Sequence, residues 1–313
     1  MTKKPLILLA GPTAVGKTES SIALAKALNG EIISADSMQV YRGLDVGSAK
    51  ITKEEMQGVP HYLIDILDPR EEFHVMAFQS LAREAAEDIW SREKVPIVTG
   101  GTGFYIQSLL YGVEFSADVD QEYRDSLWKL CDEKGPEELH RMLAEVDPET
   151  AENLSANNVK RVIRSLEFYH VNQMPISEHN RVERERTSPY DFKYFVLTMD
   201  REKLYERIGL RVDLMMKAGL LDEVKALKEQ GSMPEDTAMQ GIGYKEILHH
   251  LNDPENYPLD LAVEDIKKNT RHFAKRQLTW FRREKEVIWV DKDSFADQDA
   301  LIQYLIGESK KIL

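Results

Sequence analysis

The sequence predicts an α/β protein: a parallel sheet with helices on both faces, and an all-helical domain inserted between two of its strands. Short apolar runs alternate with segments of helical periodicity near the start of the chain, which is typical of the strand–helix–strand units of parallel sheets. A glycine-rich loop joins the first apolar run to the first helical segment. A long helical stretch then separates the early strands from the later ones.

The first 113 residues carry the alternating elements of the sheet. Strands are predicted where the runs are short and apolar, at Leu6–Ala10, Glu31–Ala35, His61–Ile66 and Val95–Thr99. Helices are predicted where apolar residues recur with helical spacing, at Lys17–Leu28, Val75–Trp90 and Thr102–Leu110. Residues 1–113 are therefore predicted to be the first part of a core domain.

Residues 114–192 are predicted to form the helical insertion, because no strand-like run occurs between Asp120 and Val171. The stretch Arg181–Arg186 alternates in charge and predicts a flexible linker. The core domain resumes at residues 193–313. Its further elements are predicted as a strand at Tyr194–Met199, helices at Arg201–Gln230, Gly243–Leu251 and Ala262–Glu284, a strand at Val287–Val290 and a helix at 297–306.

The composition, with 42% hydrophobic and 30% charged residues in a chain of 313, is ordinary for a globular protein. No apolar stretch approaches the roughly 18 residues that a membrane-spanning helix needs, so no membrane association is expected. Cys131 is the only cysteine, which excludes an intrachain disulfide and favours a cytoplasmic location. The net charge of −13 argues against nucleic-acid binding unless positive charge is clustered.

The glycine-rich loop fits the pattern G-x-x-x-x-G-K-[ST] and lies between a predicted strand and a predicted helix. Its residues predicted to hold phosphate groups are Gly11, Pro12, Thr13, Ala14, Val15, Gly16, Lys17 and Thr18. Backbone N–H groups and the helix N-terminus attract phosphate oxygens, Lys17 adds a point charge, and the Thr18 hydroxyl can bind Mg²⁺. The motif predicts a P-loop NTPase-like fold and a bound diphosphate or triphosphate, but it does not specify ATP or phosphoryl transfer.

Asp36 comes directly after the second predicted strand. Ligands of open parallel sheets bind at the carboxyl ends of the strands, so this carboxylate is expected near the phosphate site. It can serve as a general base or a metal ligand. The alternative is that Asp36 only caps the turn that follows it.

Six further segments follow one another along the chain: Asp36–Lys50, Pro60–Asp65, Gly100–Tyr105, Arg164–Glu167, Gly241–Lys245 and Lys275–Arg282. Together with the glycine loop they resemble the tRNA dimethylallyltransferases, and the resemblance covers nearly the whole chain. Ser48 stands where this family usually has threonine, and Phe104 where leucine or methionine is common. The chain lacks the cysteine-containing zinc finger of eukaryotic members, so it resembles a bacterial form.

The resemblance implies transfer of the dimethylallyl group from dimethylallyl diphosphate to N6 of adenosine 37, in tRNAs that read codons beginning with U. The glycine loop would then hold the diphosphate with Mg²⁺, and Asp36 would accept the N6 proton. Arg211 would grip the diphosphate and stabilise it as it leaves. The family also implies a monomer.

A base inside the anticodon loop must be flipped out of its stack to reach a deep diphosphate site. By analogy with the family, Asp36, Ser37, Met38, Gln39 and Thr102 would contact it. Further tRNA contacts are implied at Arg124, Lys160, Arg161, Arg164, Gly241, Gly243, Lys245, Lys275, Arg276 and Arg282. Two of these groups are basic clusters, at Lys160–Arg164 and Arg271–Lys285, which suit RNA phosphates, although each also fits a solvated helix face.

Three other functions share parts of this pattern. A small-molecule kinase is the commonest use of such a loop in a chain of this size, and a non-catalytic RNA-binding NTPase is a second possibility. The third is an isopentenyltransferase that acts on free adenine nucleotides. The helical insertion and the C-terminal basic helix favour a tRNA acceptor over a free nucleotide.

Overall fold

A computed structural model of the chain describes residues 3–113 and 120–313. The chain divides into two compact units, one comprising Met1–Leu110 and Pro189–Leu313, the other Tyr111–Ser188. The insertion was predicted at residues 114–192, and its first residues, 114–119, lie outside the described part of the chain. Residues 190–192 belong to a strand of the sheet, so the predicted end of the insertion was too late.

In the described residues, six strands form one parallel sheet in the order β3-β2-β4-β1-β5-β6. The strands are β1 (Lys4–Ala10), β2 (Gly30–Ala35), β3 (His61–Tyr62), β4 (Val95–Gly100), β5 (Tyr190–Thr198) and β6 (Val287–Asp291). Leu6 to Leu9 of the central strand β1 are fully buried, as expected of a parallel strand covered on both faces. The predicted α/β sheet is confirmed.

The helices flank the sheet or build the insertion. Four begin before the insertion: α1 (Lys17–Leu28), α2 (Lys53–Met56), α3 (Val75–Ser91) and α4 (Gly103–Tyr111). The second unit contains α5 (Gln121–Lys134), α6 (Pro136–Val146), α7 (Pro148–Asn153), α8 (Val159–Asn172) and α9 (Ile176–Glu185). After β5 come α10 (Arg201–Lys217), α11 (Leu220–Glu229), α12 (Tyr244–Asn252), α13 (Leu259–Phe281) and α14 (Gln298–Ser309).

The strand register brings the predicted site together. Ala10 at the end of β1 pairs with Gly100 at the end of β4, and Gly100 also pairs with Ala35 at the end of β2. The loops that follow these three strands carry the glycine-rich motif, Asp36 and Gly101. They therefore open side by side on the edge where ligands of parallel sheets bind.

Some predicted elements differ from the structure for local reasons. Only two residues of the predicted strand His61–Ile66 pair with β2, because Leu63 (φ 63°) and Asp65 (φ 56°) have left-handed backbone that cannot continue a strand. The predicted helix Arg201–Gln230 is two helices, separated at Gly219, whose φ of 99° ends the helical path.

The second unit has an apolar core of its own, centred on α5, α6 and α8. The linker predicted at Arg181–Arg186 was wrong, because α9 extends through Glu185. The alternating charges form ion pairs instead: Arg181 binds Glu149 and Arg186 binds Glu183, each at 2.9 Å. No helix in the described parts of either unit is long and apolar enough to cross a membrane.

A buried carboxylate stabilises the sheet at the end away from the glycine loop. Glu31 of β2 is 1% exposed. It accepts two hydrogen bonds from Arg92 at 2.6 and 2.7 Å, one from Lys94 at 2.6 Å and one from the Tyr62 hydroxyl at 2.8 Å. These bonds, those from Arg92 first, lower the pKa of Glu31 to about 2. The carboxylate thereby ties together β2, β3 and the segment between α3 and β4.

Replacing Glu31 with Gln should lower the free energy of unfolding by about 3 kcal/mol at pH 7, because it leaves Arg92 and Lys94 without their shared anion. The folded pKa lies below the unfolded value of about 4.3. The stabilisation is therefore complete above that value and is lost as the pH falls toward 2. Urea unfolding between pH 7 and pH 3 measures this difference.

The matched control is Glu87→Gln, which removes an exposed surface carboxylate paired with Lys4. It should change the free energy of unfolding by less than about 0.5 kcal/mol. Equal losses in the two variants would contradict the assigned role of Glu31.

Candidate active site

The carbonyl groups of the glycine loop are held by three cationic side chains. Lys17 Nζ donates to the carbonyls of Gly11 and Pro12, each at 2.9 Å. Arg207 Nε donates to Ala14 at 2.8 Å, and Lys292 Nζ donates to Val15 at 3.2 Å. Two N–H groups of the loop are bonded within the protein as well: the Thr13 N–H donates to Gln277 Oε1 at 2.9 Å and the Val15 N–H to the Pro12 carbonyl at 3.4 Å.

Helix α1 begins directly after the loop. Gly16 precedes its first residue with a φ of 93°, a left-handed conformation that glycine adopts without strain. The first N–H groups of a helix have no partner within it and carry partial positive charge. The loop and the helix end thus have the features that bind anions in other proteins.

A cavity of about 420 Å³ opens above this loop. Its polar lining comes from the loop, the end of β2 and helix α10, and includes Lys17, Thr18, Asp36, Gln39, Arg207 and Arg211. Its apolar lining includes Ile51, Ile64, Leu210, Leu214 and Phe273. Asp36 and Arg211, predicted from distant parts of the sequence, therefore lie in the same cavity as the glycine loop.

The cavity carries an excess of positive charge. Burial, the nearby Arg211 guanidinium and, in the opposite sense, Asp36 together lower the pKa of Lys17 to about 8. Burial is also the main cause that lowers the pKa of Arg211, with Asp36 opposing it and Arg207 adding to it. Cations that repel one another in a partly desolvated site are stabilised by an anion between them. The cavity is therefore suited to an anionic ligand.

Asp36 both caps the turn after β2 and lines the cavity. Its Oδ1 accepts the N–H groups of Met38 at 2.8 Å and Gln39 at 3.3 Å. The two interpretations of Asp36 from the sequence are therefore compatible. The turn fixes the direction of the carboxylate, and Oδ2 takes part in neither of these bonds.

The loop Asp36–Gln39 is supported from behind. The Gln39 amide donates to the carbonyls of Ser48 at 3.4 Å and Ala49 at 3.3 Å. The segment that carries these carbonyls is held in turn by Glu223, which accepts three consecutive N–H groups, from Asp45, Val46 and Gly47, at 2.7 to 3.0 Å.

The remaining loop residues predicted to contact RNA lie close to this turn or on the same unit. The Thr102 N–H donates to the Ala35 carbonyl at 3.3 Å, immediately before Asp36. Gly241 packs so closely on Met38 that an added Cβ would lie 2.9 Å from its Cε. Gly243 precedes α12 with a φ of 98°, and the Lys245 side chain is exposed.

Helix α13 has a basic exposed side and a buried side. Lys275 and Arg276 on the helix, and Arg282 at its end, are all exposed, as the predicted RNA contact requires. Gln277 is 5% exposed and bonds both the glycine loop and the loop after β4.

In the second unit, the predicted RNA contacts differ in exposure. Lys160, Arg161 and Arg164 are exposed on α8. Arg124 pairs at 2.9 Å with Glu167, a carboxylate whose side chain is 2% exposed. This ion pair gives Arg124 a role within its own unit, and the RNA contact at Arg124 stays a prediction.

Several cavity residues were not predicted from the sequence. Arg207 lies one helical turn before Arg211, so helical spacing on α10 could have identified it. Gln277 and Lys292 contact the glycine loop from more than 250 residues away in the sequence; Gln277 lies within the segment Lys275–Arg282, but no role was predicted for it, and no local pattern marks Lys292. His61 lines the cavity, donates Nδ1–H to the Val59 carbonyl at 2.8 Å, and has its pKa lowered by burial.

Comparison with known proteins identifies the relatives of this chain. Residues 39–284 match the family described as IPP transferase, and residues 4–70 match the family described as Isopentenyl transferase. A tRNA dimethylallyltransferase from Lachnoclostridium phytofermentans is 51% identical over 304 residues, which cover 97% of this chain and 96% of that protein.

Two solved structures are similar over nearly the full chain. The tRNA isopentenylpyrophosphate transferase from Bacillus halodurans has a TM-score of 0.72 and 42% identity, covering 99% of both chains. A eukaryotic dimethylallyltransferase acting on tRNA has a TM-score of 0.77 and 31% identity, covering 96% of this chain and 78% of that one. The family match, the sequence identity and the shared fold agree, and the chain belongs to the tRNA dimethylallyltransferase family.

Proposed function

We propose that this chain transfers the dimethylallyl group of dimethylallyl diphosphate to N6 of adenosine 37 in tRNAs that read codons beginning with U, and releases diphosphate. The observation that carries the proposal is the cavity that contains both an anion site and a carboxylate. Lys17 and Arg211 supply the charge for a diphosphate, and Asp36 lies beside them as an acceptor for a proton.

The reaction needs two kinds of help from the protein. The exocyclic nitrogen of adenine is a weak nucleophile, so the C1–O bond of the allylic diphosphate must break as the N–C1 bond forms. Lys17, Arg211 and the N–H groups at the start of α1 stabilise the negative charge that develops on the leaving diphosphate. The proton of the attacking N6 passes to Asp36 as general base.

We also propose Mg²⁺ as the cofactor. The Thr18 side chain lines the cavity next to the anion site, and Mg²⁺ in such sites binds one or two protein oxygens together with phosphate oxygens. The Thr18 hydroxyl and the diphosphate oxygens fit this set of ligands. The metal would neutralise charge on the diphosphate.

A tRNA acceptor is supported by the charge distribution. The protein has a net charge of −13, yet Lys275, Arg276 and Arg282 are exposed together on α13, and Gln277 of the same helix reaches the cavity. Phosphate contacts on this surface would place an anticodon loop beside Asp36. The basic α8 cluster in the second unit provides a further candidate contact with tRNA.

A tRNA substrate and a single reduced cysteine support a cytoplasmic location. We propose that the enzyme acts as a monomer, as the resemblance to its family implies. Sedimentation analysis of the purified protein measures the oligomeric state.

The transfer assay tests the proposed function directly. With labelled dimethylallyl diphosphate and Mg²⁺, label should enter unmodified tRNA that carries adenosine 37. It should not enter the same tRNA with guanosine at that position, because guanosine has no N6 amine, and AMP should remain unlabelled. Absence of label in every tRNA, together with ATP turnover, would return the protein to the kinase class.

Replacing Asp36 with Asn separates its two roles. The amide oxygen still accepts the N–H groups of Met38 and Gln39, so the turn is kept, but the side chain cannot take the N6 proton. The kcat should fall about 10²- to 10⁴-fold. Diphosphate affinity should not fall, because the change removes a negative charge beside Lys17 and Arg211, and thermal unfolding should stay near wild type. A kcat close to wild type would limit Asp36 to capping the turn.

Replacing Lys275 and Arg282 together with Ala should weaken tRNA binding and flatten its dependence on salt. The slope of log K against log salt is negative, and each lost phosphate contact makes it shallower by about 1. The charge-matched control replaces the exposed Lys217 and Lys310 with Ala. Fluorescence anisotropy at several salt concentrations measures both slopes, and equal slopes would show that the α13 cluster does not contact RNA.

A further inference from the structure

Gln277 bridges two loops of the cavity through its side-chain amide. Its Oε1 accepts the Thr13 N–H at 2.9 Å, and its Nε2 donates to the Gly101 carbonyl at 2.9 Å. The partners determine the orientation of the amide, because an N–H needs an acceptor and a carbonyl needs a donor. Both bonds are shielded from water, since Gln277 is 5% exposed.

The Thr13 N–H belongs to the same peptide group as the Pro12 carbonyl. This peptide is trans and planar, so the two groups point in opposite directions. When Gln277 holds the N–H on one side, the carbonyl must point to the other side. There it accepts a hydrogen bond from Lys17 Nζ at 2.9 Å.

The loop after β4 is built to admit Gln277. A Cβ on Gly101 would lie 2.1 Å from Gln277 Nε2, so no other residue fits there without displacing the amide. One turn further along α13, Trp280 packs against Gly103 in the same way, with an added Cβ 2.1 Å from its Cδ1. Helix α13 therefore packs closely against glycines at two successive contacts. These contacts hold the Gln277 side chain against the loop that follows β4.

We propose that Gln277 is a positioning residue for Lys17. Gln277 fixes the orientation of the Pro12–Thr13 peptide group, and the carbonyl of this peptide positions the Lys17 ammonium at the diphosphate site. The inference rests on the proposed function, in which Lys17 binds the diphosphate. Gln277 itself contributes no charge and takes no part in the bond changes. Its effect reaches the substrate through Lys17.

Binding of inorganic diphosphate, measured by titration calorimetry, tests this proposal without requiring transfer activity. Gln277→Leu keeps the size of the side chain and removes both hydrogen bonds. It should weaken diphosphate binding about 10-fold, the scale of one lost hydrogen bond to a charged group. In assays of transfer, the KM for dimethylallyl diphosphate should rise by a similar factor, with the KM for tRNA unchanged.

A double-mutant cycle separates positioning from general damage. In a Lys17→Met background, Gln277→Leu should change diphosphate affinity by less than about 2-fold, because the group on which it acts is gone. A second full loss of about 10-fold in that background would overturn the proposal. So would a rise in the KM for tRNA equal to that for dimethylallyl diphosphate.

Gln277→Glu is the conservative variant. At low pH its protonated carboxyl keeps an acceptor for the Thr13 N–H and a donor for the Gly101 carbonyl and adds no charge to the cavity, so diphosphate affinity should stay within about 3-fold of wild type at the same pH. An affinity as low as that of Gln277→Leu at that pH would overturn the proposal.

Gly101→Ala approaches the same contact from the other side. The added methyl group displaces the Gln277 amide, so this variant should reproduce the loss seen with Gln277→Leu. If Gln277→Leu fails to fold, the Gly101→Ala and Gln277→Glu variants still decide the question, since one removes the contact with Thr13 and the other keeps it. Equal affinities in these two variants would contradict the proposal.

The control for the substitution itself is Gln303→Leu, at an exposed position of α14. It should bind diphosphate as wild type does. Failure of the wild-type protein to label tRNA would overturn the proposed function, whereas normal labelling with an additive double-mutant cycle would overturn only the role of Gln277.

Discussion

The site depends on fixing the carbonyl groups of one eight-residue loop. Lys17, Arg207 and Lys292 bind the carbonyls of Gly11, Pro12, Ala14 and Val15. A glycine-rich loop has many accessible conformations, and its N–H groups are useful only when they converge. The cations thus perform a structural task before any substrate arrives. A guanidinium or ammonium bound to a carbonyl also keeps positive charge close to the anion site.

The sheet makes this arrangement possible by bringing distant segments to one edge. Ala10, Gly100 and Ala35 are neighbours across three adjacent strands, so a loop, a turn and a helix start share a small volume. Helices α10 and α13 then close the cavity with Arg207, Arg211 and Gln277. At the opposite end, Glu31 with Arg92 and Lys94 fixes the same strands. The register of β2 and β4 is therefore held at both ends.

The sequence was most informative where function depends on contiguous residues. The glycine loop, the strand before it and Asp36 after β2 were predictable, because their chemistry and their spacing lie within a few residues of one another. The roles of Gln277 and Lys292 were not predictable. Each contacts the glycine loop from more than 250 residues away in the chain, so no spacing in the sequence links it to that loop. The strand at His61 was overextended because the positive φ angles of Leu63 and Asp65 leave no mark on hydropathy. The helix α9 was missed because alternating charges fit ion pairs at i,i+3 as well as a linker.

Lys292 also bears on how the protein is made. Strand β6 is the last strand in the chain and lies at an edge of the sheet. In the turn that follows it, the Lys292 ammonium donates to the Val15 carbonyl. During synthesis the amino-terminal motif leaves the ribosome long before that side chain exists. A nascent chain therefore holds a complete signature sequence without a complete anion site. The contact between Lys292 and Val15 forms only after translation has passed residue 292, so the glycine loop gains this support only when all six strands have been made.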